Sequence, residues 1–200
     1  DRPWLGLRTQ PVTGEIADAL GLDLPAGILV DQIHPESAFA RAGIETGDIL
    51  LTIDGEVVNA PAELAFRTAT LGIGREAELR YLRGGKERAV SVELASAPDQ
   101  PDRDRTVLRS PRYLRGLTVM NINPAVIDQY RLPLASAGIL VAAVGGRASR
   151  SGLRPGDLIL AVNRRPVGDV DALEAALWRS RGVVLEVDRK GRRGNIEIGG

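Results

Sequence analysis

The chain has 200 residues, enough for one large domain or two small ones, and 44% of them are hydrophobic, an ordinary share for a packed core. Aromatic residues make up only 4%, so that core must be aliphatic. Twenty-six basic and 26 acidic residues cancel, leaving no surplus to attract nucleic acid or an anionic membrane face. Cysteine is absent, which excludes disulfides and thiolate metal sites and fits any compartment. No apolar run approaches the ~20 residues of a membrane span, and no signal peptide opens the chain. Because position 1 is an aspartate, the polypeptide is expected to continue upstream.

In Trp4-Leu5-Gly6-Leu7-Arg8-Thr9 a glycine sits between two leucines, ahead of a short alternating run. Such a glycine lets successive N–H groups converge as an anion nest, and the run after it suits a strand whose edge takes up an extended peptide. An ordinary strand start is the alternative. Thr13 then caps a short helix through Ala17 and Leu20, ended by Gly21 and Pro25. Gly27-Ile28-Leu29-Val30 predicts a buried strand running to Ile33. Ser37 caps one turn, Ala38 to Ala42, closed by Gly43. Gly47-Asp48 turns into the strand Ile49 to Ile53, which ends at Asp54-Gly55. Pro61 suits the first position of a long helix with Leu64, Thr68 and Leu71 on one stripe. Two strands, about Glu76–Arg83 and Glu87–Leu94, turn at Gly84-Gly85.

Composition changes over residues 96–113, where Pro98, Pro101 and Pro111 alternate with Asp99, Asp102, Arg103, Asp104 and Arg105. With little to bury, this stretch is expected to be a mobile linker. The first unit then returns. Leu114-Arg115-Gly116-Leu117 echoes Trp4 to Leu7, Asn123-Pro124 starts a short helix, and Gly138-Ile139-Leu140-Val141 repeats Gly27 to Val30 letter for letter. Ser151-Gly152-Leu153 with Gly156-Asp157 answers Ala42-Gly43-Ile44 with Gly47-Asp48, and a second long helix, Val170 to Ser180, carries Leu173 and Leu177. A closing hairpin turns at Lys190-Gly191. Two copies of about 90 residues are each large enough for a core of their own.

This order of elements, with its Ala-Gly-Ile…Gly-Asp-Ile-Leu signature, resembles a PDZ domain in its bacterial, circularly permuted form. Two in tandem behind Arg2-Pro3-Trp4-Leu5-Gly6-Leu7 look like the C-terminal half of the Do-like (HtrA-type) serine proteases. The resemblance implies an α+β fold of two tandem PDZ-like domains, residues 1–95 and 114–200, joined by the linker 96–113. Each would be a small, partly open β-barrel or sandwich with one long and one or two short helices. It implies a periplasmic module that captures C-terminal or extended apolar segments of unfolded proteins by strand addition. It would serve substrate recognition and activation of an upstream endopeptidase. Implied partners are peptides and unfolded segments, the protease domain of the same chain, and the C-termini of outer-membrane proteins, with no cofactor.

Carried over residue by residue, the carboxylate-binding role falls on Leu5, Gly6 and Leu7, and in the second copy on Arg115, Gly116 and Leu117. Arg115 replaces the apolar Leu5; it would either pair with the carboxylate or fill the pocket, and the second domain is expected to bind more weakly or differently. The groove would be lined by Arg8, Thr9, Leu64, Phe66 and Thr68 in the first copy, and by Thr118, Leu173 and Leu177 in the second. Phe66 and Trp178 lie off their helical stripes, either incidentally or as part of an interface. Asp48 and Asp157 are expected to bond their own turns rather than a metal. His34, the single histidine, is expected in an exposed loop, and alone it makes no metal site.

A serine protease needs a nucleophile, a histidine base and an orienting acid. The chain has no Gly-x-Ser-x-Gly or Gly-Asn-Ser-Gly-Gly pattern, and Ser37 and Ser151 fall in one-turn helices. No catalytic set is expected here. The alternative to a protease's regulatory region is a free-standing tandem that scaffolds other proteins.

Overall fold

The structure is a computed structural model that describes residues 2–178, 180 and 182–199. It divides into two compact units, Asp1–Pro98 and Asp99–Gly200. The first runs β1 (Leu7–Pro11), α1 (Gly14–Leu20), β2 (Ile28–Ile33), α2 (Ala38–Arg41), β3 (Ile49–Ile53), β4 (Glu56–Val57), α3 (Pro61–Leu71), β5 (Glu76–Arg83) and β6 (Lys86–Glu93). Its sheet is antiparallel in the order β1-β2-β3-β5-β6, with β4 on β3. Among the described residues the strand at one end, β1, pairs only with β2.

Local chemistry accounts for these elements. The Thr13 hydroxyl accepts the Ile16 N–H (3.3 Å) at the start of α1, satisfying a donor the helix cannot. Along β5, Ala77, Leu79 and Tyr81 point inward while Glu76, Glu78 and Arg80 face water, the period-2 pattern of a half-buried strand. The β5–β6 hairpin turns through Gly84 (φ +58°) and Gly85 (φ +73°), the left-handed pair that matches strand twist. Under the sheet, Ile28, Val30, Phe39, Leu50, Leu64 and Leu79 form the main core. Each buried aliphatic side chain there contributes about 1.5–3 kcal/mol over leaving it exposed.

The second unit repeats the plan with β8 (Leu117–Asn121), α4 (Pro124–Tyr130), β9 (Ile139–Val144), β10 (Leu158–Val162), β11 (Arg165–Pro166), α5 (Val170–Trp178), β12 (Gly182–Arg189) and β13 (Arg192–Gly199). The second long helix, expected through Ser180, crosses residue 179, which lies outside the described residues. One element has no counterpart in the first unit: β7 (Thr106–Val107) pairs antiparallel with β8 and ends the sheet.

Residues 99–113 are therefore not a free linker but part of the second unit. The Asp99 carboxylate takes Arg103 through both oxygens (3.1 and 2.8 Å). Asn123 Nδ2 donates to Asp99 Oδ1 (2.8 Å) and to the Pro101 carbonyl (2.7 Å), and Asn121 Nδ2 donates to the Asp102 carbonyl (2.9 Å). Leu108 is wholly buried. Composition counts few apolar residues here, yet one leucine, a strand pairing and partnered charges hold the segment down.

In both units a buried aspartate is clamped by a distant arginine. Asp48 accepts the Glu45 N–H (2.8 Å) within its own turn, as expected, and also takes Arg83 Nε and Nη2 at 2.7 Å each. Asp157 does the same with the Arg154 N–H (2.8 Å) and with Arg189 at 2.7 Å twice. The spare Nη2 proton of each arginine reaches a turn carbonyl, Gly43 at 2.7 Å or Gly152 at 2.9 Å. Removing either carboxylate takes the acceptor from three N–H groups at once. Asp48→Ala and Asp157→Ala should each lower the melting temperature of their own unit by roughly 5 °C or more, read by scanning calorimetry.

Candidate functional site

Gly6 adopts φ +58°, and a Cβ placed on it would come within 2.8 Å of Ser37 Cβ and 2.9 Å of the Trp4 ring. The loop before β1 thus requires glycine twice over, for its left-handed turn and for the close approach. Ser37 completes it. Wholly buried, it donates its hydroxyl proton to the Leu5 carbonyl (2.6 Å), and its oxygen accepts the Phe39 N–H (3.1 Å). Sequence alone marks Ser37 as a helix cap and misses this second bond. No local pattern carries it, because the acceptor lies 32 residues away.

With that carbonyl tied back, the Leu5 and Gly6 N–H groups meet no acceptor among the described residues. Gly6 O accepts the His34 N–H (2.9 Å), so by antiparallel alternation the N–H and C=O of Leu7 turn to the open side of β1. The Leu5 and Leu7 side chains rest half-buried on the core that includes Leu64, as Leu71 does. Two half-buried leucines, two N–H groups without an acceptor among the described residues and an open strand edge meet here. That combination suits an extended chain end, its terminal side chain against the leucines and its carboxylate on the N–H groups.

The other expected groove residues divide. Thr9 is half-buried on β1, on the same open-edged strand. Arg8 is tied sideways to Asp31 (2.7 Å), the extra residue of a bulge in β2. Leu64 and Thr68 are buried in the core, and the Thr68 hydroxyl donates its one proton back to Leu64 O (2.8 Å) and Ala65 O (3.1 Å), so it has no proton to offer a ligand. Phe66 does not share the Leu64 stripe: two positions on, it lies about 200° round the helix and is 71% exposed. Trp178, 77% exposed, is likewise off the Leu173–Leu177 stripe.

The second unit closes the same place. Gly116 N–H donates to Leu108 O (3.0 Å), and Leu108 N–H donates to Leu117 O (2.8 Å). Thr106 and Val107 pair with Val119 and Thr118. Leu108 joins Leu114, Leu117, Leu173 and Leu177 in one cluster. Leu117, Thr118, Leu173 and Leu177 are therefore interior here, not a free groove wall. Arg115 points to solvent and does not fill the pocket. Its carbonyl, the counterpart of Leu5's, is held by the Arg147 and Ala148 N–H groups (3.0 and 3.3 Å) instead of a serine.

His34 is half-buried, not exposed: its ring meets Trp4 edge-on at 5.3 Å, and Nδ1 accepts the Glu36 N–H (3.1 Å). Desolvation lowers its pKa from 6.5, opposed by the charge of Glu36. Only the neutral ring can accept at Nδ1. A depressed folded pKa means its contribution to stability is complete above about 6.5 and is lost as pH falls through the folded value. In an NMR titration the ring of this single histidine should show a midpoint below 6.5; a midpoint at or above it would contradict the burial. Ser37→Ala, which uncaps α2 and frees the Leu5 carbonyl, should destabilise the first unit by about 1–2 kcal/mol in denaturant titration.

The PDZ domain family (PDZ_2) matches residues 3–94. A DegP-like protein of Pseudomonas fluorescens, named a probable periplasmic serine endoprotease, is 31% identical over 201 residues, 96% of this chain and 41% of that protein. A protein of the same name from Halomonas elongata is 30% identical over 196 residues, 95% of this chain and 40% of its own length. The chain thus spans about two-fifths of these relatives. A solved structure, the HtrA-type protease AlgW with decapeptide, is 31% identical over 48% of this chain and 30% of that one, with a TM-score of 0.44. The first unit is a PDZ domain, and identity across nearly its whole length places the chain in the DegP-like (HtrA-type) family of periplasmic serine endoproteases, as a PDZ region of that family.

Proposed function

We propose that this chain is the peptide-binding regulatory region of a DegP-like periplasmic endopeptidase whose catalytic set lies outside it. Its first unit would capture the C-terminal ends of unfolded proteins, outer-membrane proteins among them, and present them to the protease domain. One observation carries the reading: the Leu5 and Gly6 N–H groups, without an acceptor among the described residues, stand between the half-buried Leu5 and Leu7 side chains at the open edge of β1. The second unit supports it. There an apolar residue of the chain itself occupies the equivalent place, with its backbone bonded to the equivalent groups.

The chemistry sets the affinity. Strand addition orders a flexible peptide and leaves much of it in water, so a Kd of roughly 1–100 μM is expected. The terminal carboxylate makes charge-assisted bonds to the nest, the strongest single contacts available. Calorimetric titration of the chain with an apolar-ended peptide should give weaker binding for the C-terminal amide than for the free acid, by about 1.5–3 kcal/mol. Equal affinities would mean that the loop is an ordinary strand start. Gly6→Val is a poor probe, because its side chain would collide with Ser37 and Trp4 and disturb the packing as well as the nest.

A further inference from the structure

We propose that Arg103–Leu108 is a resident ligand of the second groove, held in cis, so that external chain ends enter this protein at the first unit only. Leu108 has the bonding of a captured terminal residue: side chain in the leucine cluster, N–H on the β8 carbonyl at Leu117, carbonyl on the Gly116 N–H. Upstream the strand continues along β8, with Thr106 opposite Val119 and Arg103 O accepting the Asn121 N–H (2.7 Å). It differs from an outside peptide in one respect. Beyond Leu108 the backbone runs on to Leu114, itself in the core, so the nest receives a peptide carbonyl and no carboxylate.

What holds the segment is the end of the groove opposite the nest. Asn121 is bonded on three sides: its N–H to Arg103 O, its Nδ2 to Asp102 O (2.9 Å), and its Oδ1 to the Val170 N–H that opens α5 (2.7 Å). It thereby ties the resident strand, β8 and the groove helix together, while Asn123 fastens Asp99 and Pro101 beyond it. In the first unit the position matching Asn121 is Pro11, since Pro11 pairs with Ile28 as Asn121 pairs with Ile139. Proline has no N–H and no polar side chain, so this knot has no equivalent there. A tethered strand competes at an effective concentration of about 1 mM. Against it, a free peptide of ~10 μM intrinsic Kd would bind roughly 100-fold more weakly, before any of these anchors is broken.

The test uses the whole chain, labelled with ¹⁵N, and a synthetic free-acid peptide with the sequence of residues 104–108. Amide signals of Gly116–Asn121 should stay fixed up to about 100 μM peptide. In Leu108→Glu, whose carboxylate the leucine cluster cannot accept, the same signals should respond, with a gain of at least 10-fold in apparent affinity. Response of Gly116–Asn121 in the unaltered chain at micromolar peptide would overturn the proposal, as would no response in a folded Leu108→Glu. Should that variant unfold, hydrogen exchange in the unaltered chain decides. Leu108 and Gly116 N–H should exchange as slowly as the interior of β9, and exchange at the free-peptide rate would overturn the proposal. The first groove is scored separately by the signals of Gly6–Pro11, so its failure to bind leaves these outcomes readable.

Discussion

A strand at the rim of a sheet presents N–H and C=O groups that only water, a ligand or another strand can satisfy. In this protein that constraint is met in two ways on two copies of one scaffold. The first unit leaves β1 open beside the half-buried Leu5 and Leu7; the second covers β8 with β7 and buries Leu108 against its own core. The glycine turn, the groove helix and the position of the nest follow the same plan in both. What separates them is whether the edge is free.

The two loops also reach one geometry by different chemistry. The carbonyl before the glycine has to be drawn back so that the following N–H groups are left free to converge. A buried serine hydroxyl does this in the first unit, and a pair of backbone N–H groups does it in the second. Gly6 and Gly116 both adopt positive φ and both lack room for a Cβ, against Ser37 and Trp4 in one case and the Gly145 carbonyl in the other. The first of these turns is thus packed against the interior, tied to α2 through Ser37 and lying against Trp4, which meets His34. On the sheet, by contrast, each Gly-Asp turn is locked by an arginine from the hairpin, in the same pattern twice. These locks persist where the grooves diverge, which fits a structural role common to both units.

Much of this protein is written in short-range pattern. The period-2 strands, the helix caps at Thr13 and Asn123, the glycine hairpin turns and the repeated Gly-Ile-Leu-Val run depend on neighbours a few residues apart, so the sequence by itself determined two copies of one α+β unit and the glycine turn ahead of β1. Tertiary structure alone decided the rest. Thr68 and Leu64 became core because α3 settles on the sheet with that stripe inward, and Phe66 was thereby turned to water. Asp48 found Arg83 across a separation of 35 residues, which no local pattern announces. Residues 99–113 read as linker because composition counts apolar groups without their partners. A single leucine, a few backbone carbonyls and two asparagines were enough to fold the segment back, since a strand edge supplies half of every bond such a segment needs.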